Sequence, residues 1–381
     1  MRNSPSVLFL SSYNEAGGTA RVVMDLTKEL RMRGHRIRTV FAGQPTPTEL
    51  LAWCKSEGIE AEISDAVVSP REERPRNLTD FQALRRLVLE SQADVVNIHY
   101  PTTAMGLKDL LAIRSARCRR LIVTIQHPVP LASKGSRTRL LARLSARLAD
   151  AVIVSTEVTS SLLRETGIPP QKIRVVPLGL PVAGSIPTRR EARARLRLPD
   201  DRLVVTCLAR LAYDKGHDVL IDAFARIQDP DGRLLLVIAG TGPERERLEQ
   251  LANERVPGRC RFLGWVENPA DVYAATDVFS LASDLEGFGL VFVEAAFHKI
   301  PCVATAVGGV PYVIDHNRTG LLVPPQDPEA LAGALQRLLE DRDLREQFGR
   351  EAFARAHREF TLQAMTDHYA AIFGQKAGSA T

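Results

Sequence analysis

Short apolar runs rich in β-branched residues recur along the whole chain, separated by stretches with helical spacing. Residues 7–10 form the first run, and Val22, Val23, Leu26 and Leu30 then repeat at helical intervals within 19–33. Residues 35–41 alternate as a strand does, and further strand-like runs stand at 93–98, 121–125, 151–154 and 173–176. The second half repeats this grammar, with strands predicted at 203–207, 234–239, 260–263, 278–281 and 301–304. Helices fit at 216–227, 244–253, 269–275, 289–298 and 328–340. Buried strands alternating with helices imply parallel sheets covered on both faces. Between the halves, residues 177–187 hold three prolines and two glycines, which break both periods and mark a hinge. The pattern predicts an α/β protein of two doubly wound domains facing each other across a cleft, with ligands beyond the carboxyl ends of the strands.

Composition narrows the class. The 381 residues are 45% hydrophobic and 25% charged, which excludes a disordered chain and a disulfide-stapled miniature. No apolar run approaches the ~18 residues of a membrane span, and the start is too short in its apolar part for a secretory signal. The five cysteines include no CxxC pair and read as reduced thiols, so a cytoplasmic protein is expected. Charge is uneven. Residues 1–180 carry a net +9 and residues 181–381 a net −4. Between 95 and 149, ten basic residues face one acid, Asp109. Such a field suits an anionic partner. Few aromatics accompany it, which argues against nucleic acid.

Candidate chemistry clusters where strands end. Glu286-Gly287-Phe288-Gly289-Leu290 follows the 278–281 strand and opens a helix that carries Glu294. Glycines at such a junction let backbone N–H groups reach a diphosphate, while the two carboxylates suit sugar and ribose hydroxyls. Arg210 and Lys215 follow the 203–207 strand, where a guanidinium fork and a point charge could neutralise a departing diphosphate. Gly240 and Gly242 offer backbone donors at the next helix start, but Arg245 stands where a dinucleotide fingerprint needs glycine, so a nicotinamide enzyme is not favoured. In the first half Gly17-Gly18 precedes a helix, and His99 and His127 end their strands at the cleft edge. Asp229/Asp231 and Asp341/Asp343 have DxD spacing, but the first pair lies at the wrong edge of its sheet and the second in a charged helix-end run; no metal is expected. Residues 137–149 form an amphipathic stretch, with Leu140, Leu141, Leu144 and Leu148 on one face and Arg139, Arg143 and Arg147 along its flank. Its leucines would ordinarily pack on the sheet; the alternative is a basic helix resting on anionic lipid.

In order and spacing these motifs resemble the retaining glycosyltransferases of family 4, which have the GT-B fold of two Rossmann-like domains. The family's glycine-rich loop is matched by Gly17-Gly18, its strand-end histidines by His99 and His127, and its "GRL…KG" by Ala209-Arg210-Leu211 with Lys215-Gly216. "GxGP" is matched by Gly240 to Pro243, "EGFGL…E" by Glu286 to Glu294, and the later "GG" and "tGlLv" by Gly308-Gly309 and Gly320 to Val323. Ala209, Lys299, Tyr312 and the 178–181 segment depart from the family pattern.

The resemblance implies an acceptor-binding domain over 1–182, a donor-binding domain over 183–360, and a last helix at 361–381 crossing back to the first domain. Arg210 and Lys215 would hold the donor diphosphate and Glu294 the ribose. Glu286 with Gly287, Phe288, Gly289 and Leu290 would hold sugar and phosphates, His127 would lie beside the reacting sugar with His99 on the acceptor side, and Gly17-Gly18 would close over the donor. The expected activity is metal-independent transfer of a hexose-type sugar from a UDP- or GDP-sugar to a glycan or lipid-linked hydroxyl acceptor, in cell-surface glycan or glycolipid synthesis at the inner face of the cell membrane. The alternative is a non-catalytic nucleotide-sugar-binding subunit of another transferase.

Overall fold

The computed structural model describes residues 4–12, 17–43, 48–67, 77–100, 105–126, 135–182 and 184–375. The chain divides into two compact units, Met1–Pro181 with Thr361–Thr381, and Val182–Phe360.

In the N-terminal unit the strands are β1 (Val7–Ser11), β2 (Ile37–Ala42), β3 (Ala61–Ser64), β4 (Val95–Tyr100), β5 (Arg120–Ile125), β6 (Ala151–Val154) and β7 (Ile173–Val175). They form one parallel sheet in the order β3-β2-β1-β4-β5-β6-β7. The order reverses between β1 and β4, the usual place for a ligand at a sheet's carboxyl edge. Helices α1 (Gly18–Met32), α2 (Thr48–Ser56), α3 (Leu78–Ser91), α4 (Leu107–Ser115), α5 (Gly135–Leu148) and α6 (Glu157–Glu165) connect the strands. Helix starts are set by local chemistry. Asn77 and Asp80 form a reciprocal capping box on α3, and Thr156 caps α6.

The C-terminal unit begins with α7 (Arg189–Leu196), then β8 (Leu203–Leu208), α8 (His217–Arg226), β9 (Leu234–Ala239), α9 (Arg245–Arg255), β10 (Cys260–Gly264) and α10 (Pro269–Ala275). It continues through β11 (Val278–Leu281), α11 (Leu290–Phe297), β12 (Cys302–Thr305), the short α12 (Val310–Val313), β13 (Gly320–Val323), α13 (Pro328–Glu340) and α14 (Arg342–Glu359). Its parallel sheet runs β10-β9-β8-β11-β12-β13. The amino edge of this sheet is tied by Arg193, which has no exposed surface. Its guanidinium donates to the carbonyls of Pro199, Asp200, Arg202 and Ala275 and pairs with Asp277 at 2.9 Å. Every N–H aimed inward meets an acceptor, which is what makes a buried cation tolerable.

The last helix, α15 (Leu362–Gly374), belongs to the N-terminal unit. Phe373 packs 6.1 Å from Phe9 of β1, and Arg33 of α1 pairs with Asp367. Gly179 fits flat against the carbonyl of Thr361, which a Cβ would strike, and Leu362 donates to the carbonyl of Leu180 at 2.8 Å.

Two expectations need correction here. The alternation of β4 runs on to Tyr100, so His99 lies inside the strand and not at its end. Its ring turns with Asn97 onto the face under Phe9, 5.5 Å from that ring, because positions two apart share a face. In α5 and the residue after it the fully buried side chains are small, Ala142, Ser145, Ala146 and Ala149, while Leu144 and Leu148 are half-buried and Leu148 packs on the core. Leu140 and Leu141 are instead exposed, at 55% and 40%. Close packing beside α4 keeps the fully buried positions to alanine and serine, so only part of the predicted leucine face turns inward.

Candidate functional site

The carboxyl edge of the second sheet is built from loops that hold one another. After β8, Leu211 donates to the carbonyl of Thr241 in the β9–α9 loop at 2.8 Å, and Glu244 donates back to the carbonyl of Leu211 at 3.1 Å. Asp284 in the β11–α11 loop donates to the carbonyl of Asp214 at 3.0 Å, and Gly309 after β12 donates to the carbonyl of Glu286 at 3.1 Å. Glycine is required at these crossings. A Cβ at Gly216 would strike the carbonyl of Ala282, one at Gly240 that of Ala209, one at Gly242 that of Leu211, and one at Gly308 that of Glu286. Gly216 and Gly308 also hold positive φ, 61° and 51°.

On this frame sit the predicted charged residues. A 3-10 turn over Tyr213–Lys215 carries Lys215 to Glu286, with Nζ 2.6 Å from Oε1 and side chains only 19% and 12% exposed. Ser283 Oγ donates to the same Oε1 at 3.2 Å. Arg210 is 65% exposed and 3.5 Å from Asp214, whose carboxylate also lies 3.8 Å from Lys215. Two helices start here without a side-chain cap: α8, entered through Gly216, and α11, entered through Gly289 at φ 83°. Val219 N–H donates to Asp218 Oδ1 and Phe292 N–H to the Gly289 carbonyl, both at 3.0 Å, so the N–H groups before them are the ones available to an anion. Cations and helix starts together form a chemistry suited to an anionic group, with the Glu286 carboxylate 2.6 Å from the Lys215 ammonium.

Glu294 lies on α11, half-buried, and accepts from the hydroxyl of Tyr273 at 2.6 Å. The sequence pattern did not single out Tyr273; the only hint was a tyrosine at a buried helical position where a purely apolar ring would fill the core. Phe288 is buried, its ring 5.7 Å from Phe360 and 6.1 Å from Tyr312. Its side chain is thus a packing anchor for the loop, and Gly287 beside it is buried too. Leu290 opens α11 half-exposed.

In the N-terminal unit Gly17 precedes α1 and accepts from the Arg21 N–H at 2.9 Å; Gly18 is exposed. His99 has no exposed surface. Asn97 Oδ1 lies 2.9 Å from its Nε2 and the Gln126 amide 3.4 Å from its Nδ1. Asn97 Nδ2 is committed to Ile122 and Thr124, so its oxygen faces the ring and the tautomer carries its hydrogen on Nε2. Burial lowers the His99 pKa to about 3 and keeps the ring neutral. The ring sits beneath the sheet's edge rather than on it. His127 lies outside the described residues.

A groove of about 900 Å³ opens at the opposite, amino edge of the second sheet. Its charged walls are committed: Arg189 pairs with Asp277, Arg342 with Glu346 at 2.8 Å, and Arg345 donates to the carbonyls of Leu338 and Leu339. Asp229 of the first DxD pair lies here, accepting from the N–H groups of Arg233 and Leu234 as a turn cap. Arg210, Lys215, Gly240, Gly242 and Glu286 follow the carboxyl ends of their strands, at the other edge.

The chain matches two family models, "Glycosyltransferase Family 4" over residues 16–184 and "Glycosyl transferases group 1" over 188–355. It is 30% identical over 383 residues to a D-inositol 3-phosphate glycosyltransferase of Corynebacterium jeikeium, covering 93% of this chain and 90% of that one. It is 27% identical over 373 residues to the N-acetyl-alpha-D-glucosaminyl L-malate synthase of Bacillus anthracis, covering 96% and 95%. Among solved structures, Anabaena Alr3699/HepE in complex with UDP superposes with a TM-score of 0.81 at 21% identity, covering 96% of this chain and 99% of that one. With the two parallel sheets and the paired family matches, the chain belongs to the group 1, family 4 glycosyltransferases and has their GT-B fold.

Proposed function

We propose that this glycosyltransferase retains anomeric configuration and moves a hexose-type sugar from a UDP- or GDP-sugar to a hydroxyl of an anionic acceptor. The observation that carries the reading is the half-buried Lys215–Glu286 pair, set between two uncapped helix starts. As the bond from C1 to the phosphate oxygen breaks, negative charge gathers on the diphosphate. Lys215 and the N–H groups opening α8 and α11 are placed beforehand and stabilise that charge with little reorganisation, and the exposed Arg210 swings in to join them. They supply what a divalent ion would otherwise supply, so turnover is expected without added metal. Glu286, with the backbone of Gly287 to Leu290, orients the sugar, and Glu294 accepts from the ribose hydroxyls; Gly240 and Gly242 contribute the neighbouring backbone. The departing phosphate oxygen takes the acceptor's proton as the new C1–O bond forms on the same face. The family pattern gives His127 the place beside that carbon, and Gly17-Gly18 a contact with the donor.

The acceptor assignment to residues 1–182 rests on charge. Their basic surplus fits an anion, and two relatives are named for acceptors bearing phosphate or carboxylate groups, D-inositol 3-phosphate and L-malate. A lipid-linked anion is favoured by α5, where exposed Leu140 and Leu141 stand beside exposed Arg139, Arg143 and Arg147. Among the described residues no helix is long and apolar enough to cross a membrane, so contact would be peripheral, at the cytoplasmic face. The five cysteines, all free, fit that reducing compartment.

Release of nucleoside diphosphate from a panel of UDP- and GDP-sugars, with chelator present and the product anomer read by NMR, tests the reaction. Turnover that needs added metal, an inverted product, or full activity in Arg210→Ala would refute it. Co-sedimentation with phosphatidylglycerol vesicles at low salt tests the surface: binding is expected, and it should fall at least several-fold in Leu140→Asp/Leu141→Asp. No binding by the unaltered protein ends the membrane reading.

A further inference from the structure

Tyr273 is one of the most deeply placed aromatic rings in the C-terminal unit, 1% exposed at the end of α10. Its ring is held on two sides, tilted 5.6 Å from Phe279 of β11 and stacked 5.2 Å from His298 at the end of α11. A phenylalanine would fill that space equally well. The hydroxyl is therefore the feature to explain, because burying one costs free energy unless it finds a partner. Here the partner is Glu294 Oε2, at 2.6 Å from a different helix. Burial raises the Tyr273 pKa well above its ordinary value, so the phenol stays protonated and is always the donor.

We propose that Tyr273 is a positioning residue for nucleotide recognition: by donating its hydroxyl to Glu294 Oε2 it fixes the plane of the carboxylate that accepts from the ribose diol. This rests on the reading of Glu294 as the ribose-binding group. A glutamate on a helix has three side-chain torsions, and the last is broad and nearly free. A vicinal diol needs a carboxylate in one orientation. The tyrosine has only two torsions, both stopped by packing, so it passes the rigidity of α10 to a flexible acid on α11. The backbone is held in the same way. His298 Nδ1 lies 2.8 Å from the Glu294 carbonyl and its ring rests on Tyr273, so main chain and side chain of Glu294 refer to one stack. The interaction is worth most where the ribose meets the carboxylate and nothing at the sugar or diphosphate.

The test compares UDP and GDP with their 2′,3′-dideoxy counterparts by calorimetry on the unaltered protein and on Tyr273→Phe. With whichever base binds tighter, Tyr273→Phe should lose about tenfold in affinity for the ribonucleotide. Its affinity for the dideoxy form should stay unchanged. In turnover the donor KM should rise while kcat holds. Both affinities are measured on one protein, so a lower melting temperature does not confuse the comparison. Equal weakening of both nucleotides, or of neither, overturns the proposal. Glu294→Ala separates the two layers. If it erases the preference for ribose while Tyr273→Phe leaves it intact, the positioning role fails alone. If Glu294→Ala keeps the preference, or the unaltered protein binds neither UDP nor GDP, the ribose reading itself fails.

Discussion

The two units share one layer plan but treat the carboxyl edges of their sheets differently. In the C-terminal unit the loops cross at backbone distance, and Gly216, Gly240, Gly242 and Gly308 are each pressed against a neighbouring carbonyl. In the N-terminal unit a Cβ at Gly43 or Gly106 would strike a carboxylate side chain, Asp65 or Asp109, rather than a crossing carbonyl, and one at Gly17 would meet nothing within 4 Å among the described residues. The buried histidines differ in the same sense. His99 is satisfied by Asn97 and Gln126, whereas His217, at the first position of α8, has neither ring nitrogen hydrogen-bonded among the described residues. A glycine fixed by its own chain shapes a platform before any ligand arrives. Gly17 has open space around it and is not needed for packing, which is compatible with the donor contact proposed for it. One edge is pinned by backbone crossings; the other leaves Gly17 room.

The largest effect expected is at the platform's charge. Lys215→Ala should cut kcat by about 10²–10³, the scale of losing a preplaced electrostatic group. Adding Glu286→Ala should cost much less than a second full loss, because the two side chains act as one unit. Additive losses would break the idea of a shared anchor. Next come the glycines. Gly308→Ala forces a Cβ onto the Glu286 carbonyl at positive φ, and should cost about 1–3 kcal/mol of stability together with at least tenfold in activity. Gly17→Ala should leave the melting temperature unmoved and raise donor KM several-fold. If thermal melts show Gly17→Ala as damaging as Gly308→Ala, the contrast between the edges is wrong.

The smallest effect concerns acid. Burial lowers His99 to about 3 and His217 to about 4, from 6.5 when unfolded. The unfolded chain therefore takes up protons that the folded one refuses. Stability should be level above about pH 6.5 and fall as pH drops from there toward 4 and then 3. His217→Asn should flatten the upper part of that decline without loss at neutral pH. His99→Leu should destabilise at every pH by about 1–3 kcal/mol, since Asn97 and Gln126 lose a buried partner. Denaturant midpoints measured across pH check both.

The fold was legible wherever burial was two-sided. The run 234–239 is apolar at every position and 278–281 at all but Ser280, and the strands match them residue for residue. β3 was not legible, because Ala61-Glu-Ile-Ser is an edge strand with a single neighbour and half-polar content. Charged site residues were legible through their place after strands. What the pattern could not carry was direction. His99 was placed at a strand end because apolarity stops at Ile98, although hydrogen bonding continues for two residues. All four leucines of α5 were expected inward, yet Leu140 and Leu141 face out while Leu148 packs on the core, because hydrophobicity alone does not show how wide the buried stripe is. Tyr273 was invisible because a hydroxyl looks like a core ring until its partner on another helix is seen.

The Lys215–Glu286 contact has a consequence for the empty enzyme: it carries its own counter-ion. A stray inorganic phosphate arrives at an ammonium already neutralised by a tethered carboxylate and gains little by displacing it. In the proposed donor site only a molecule that brings hydroxyls for Glu286 along with its anionic tail engages both partners of the pair at once, which would screen out simpler anions.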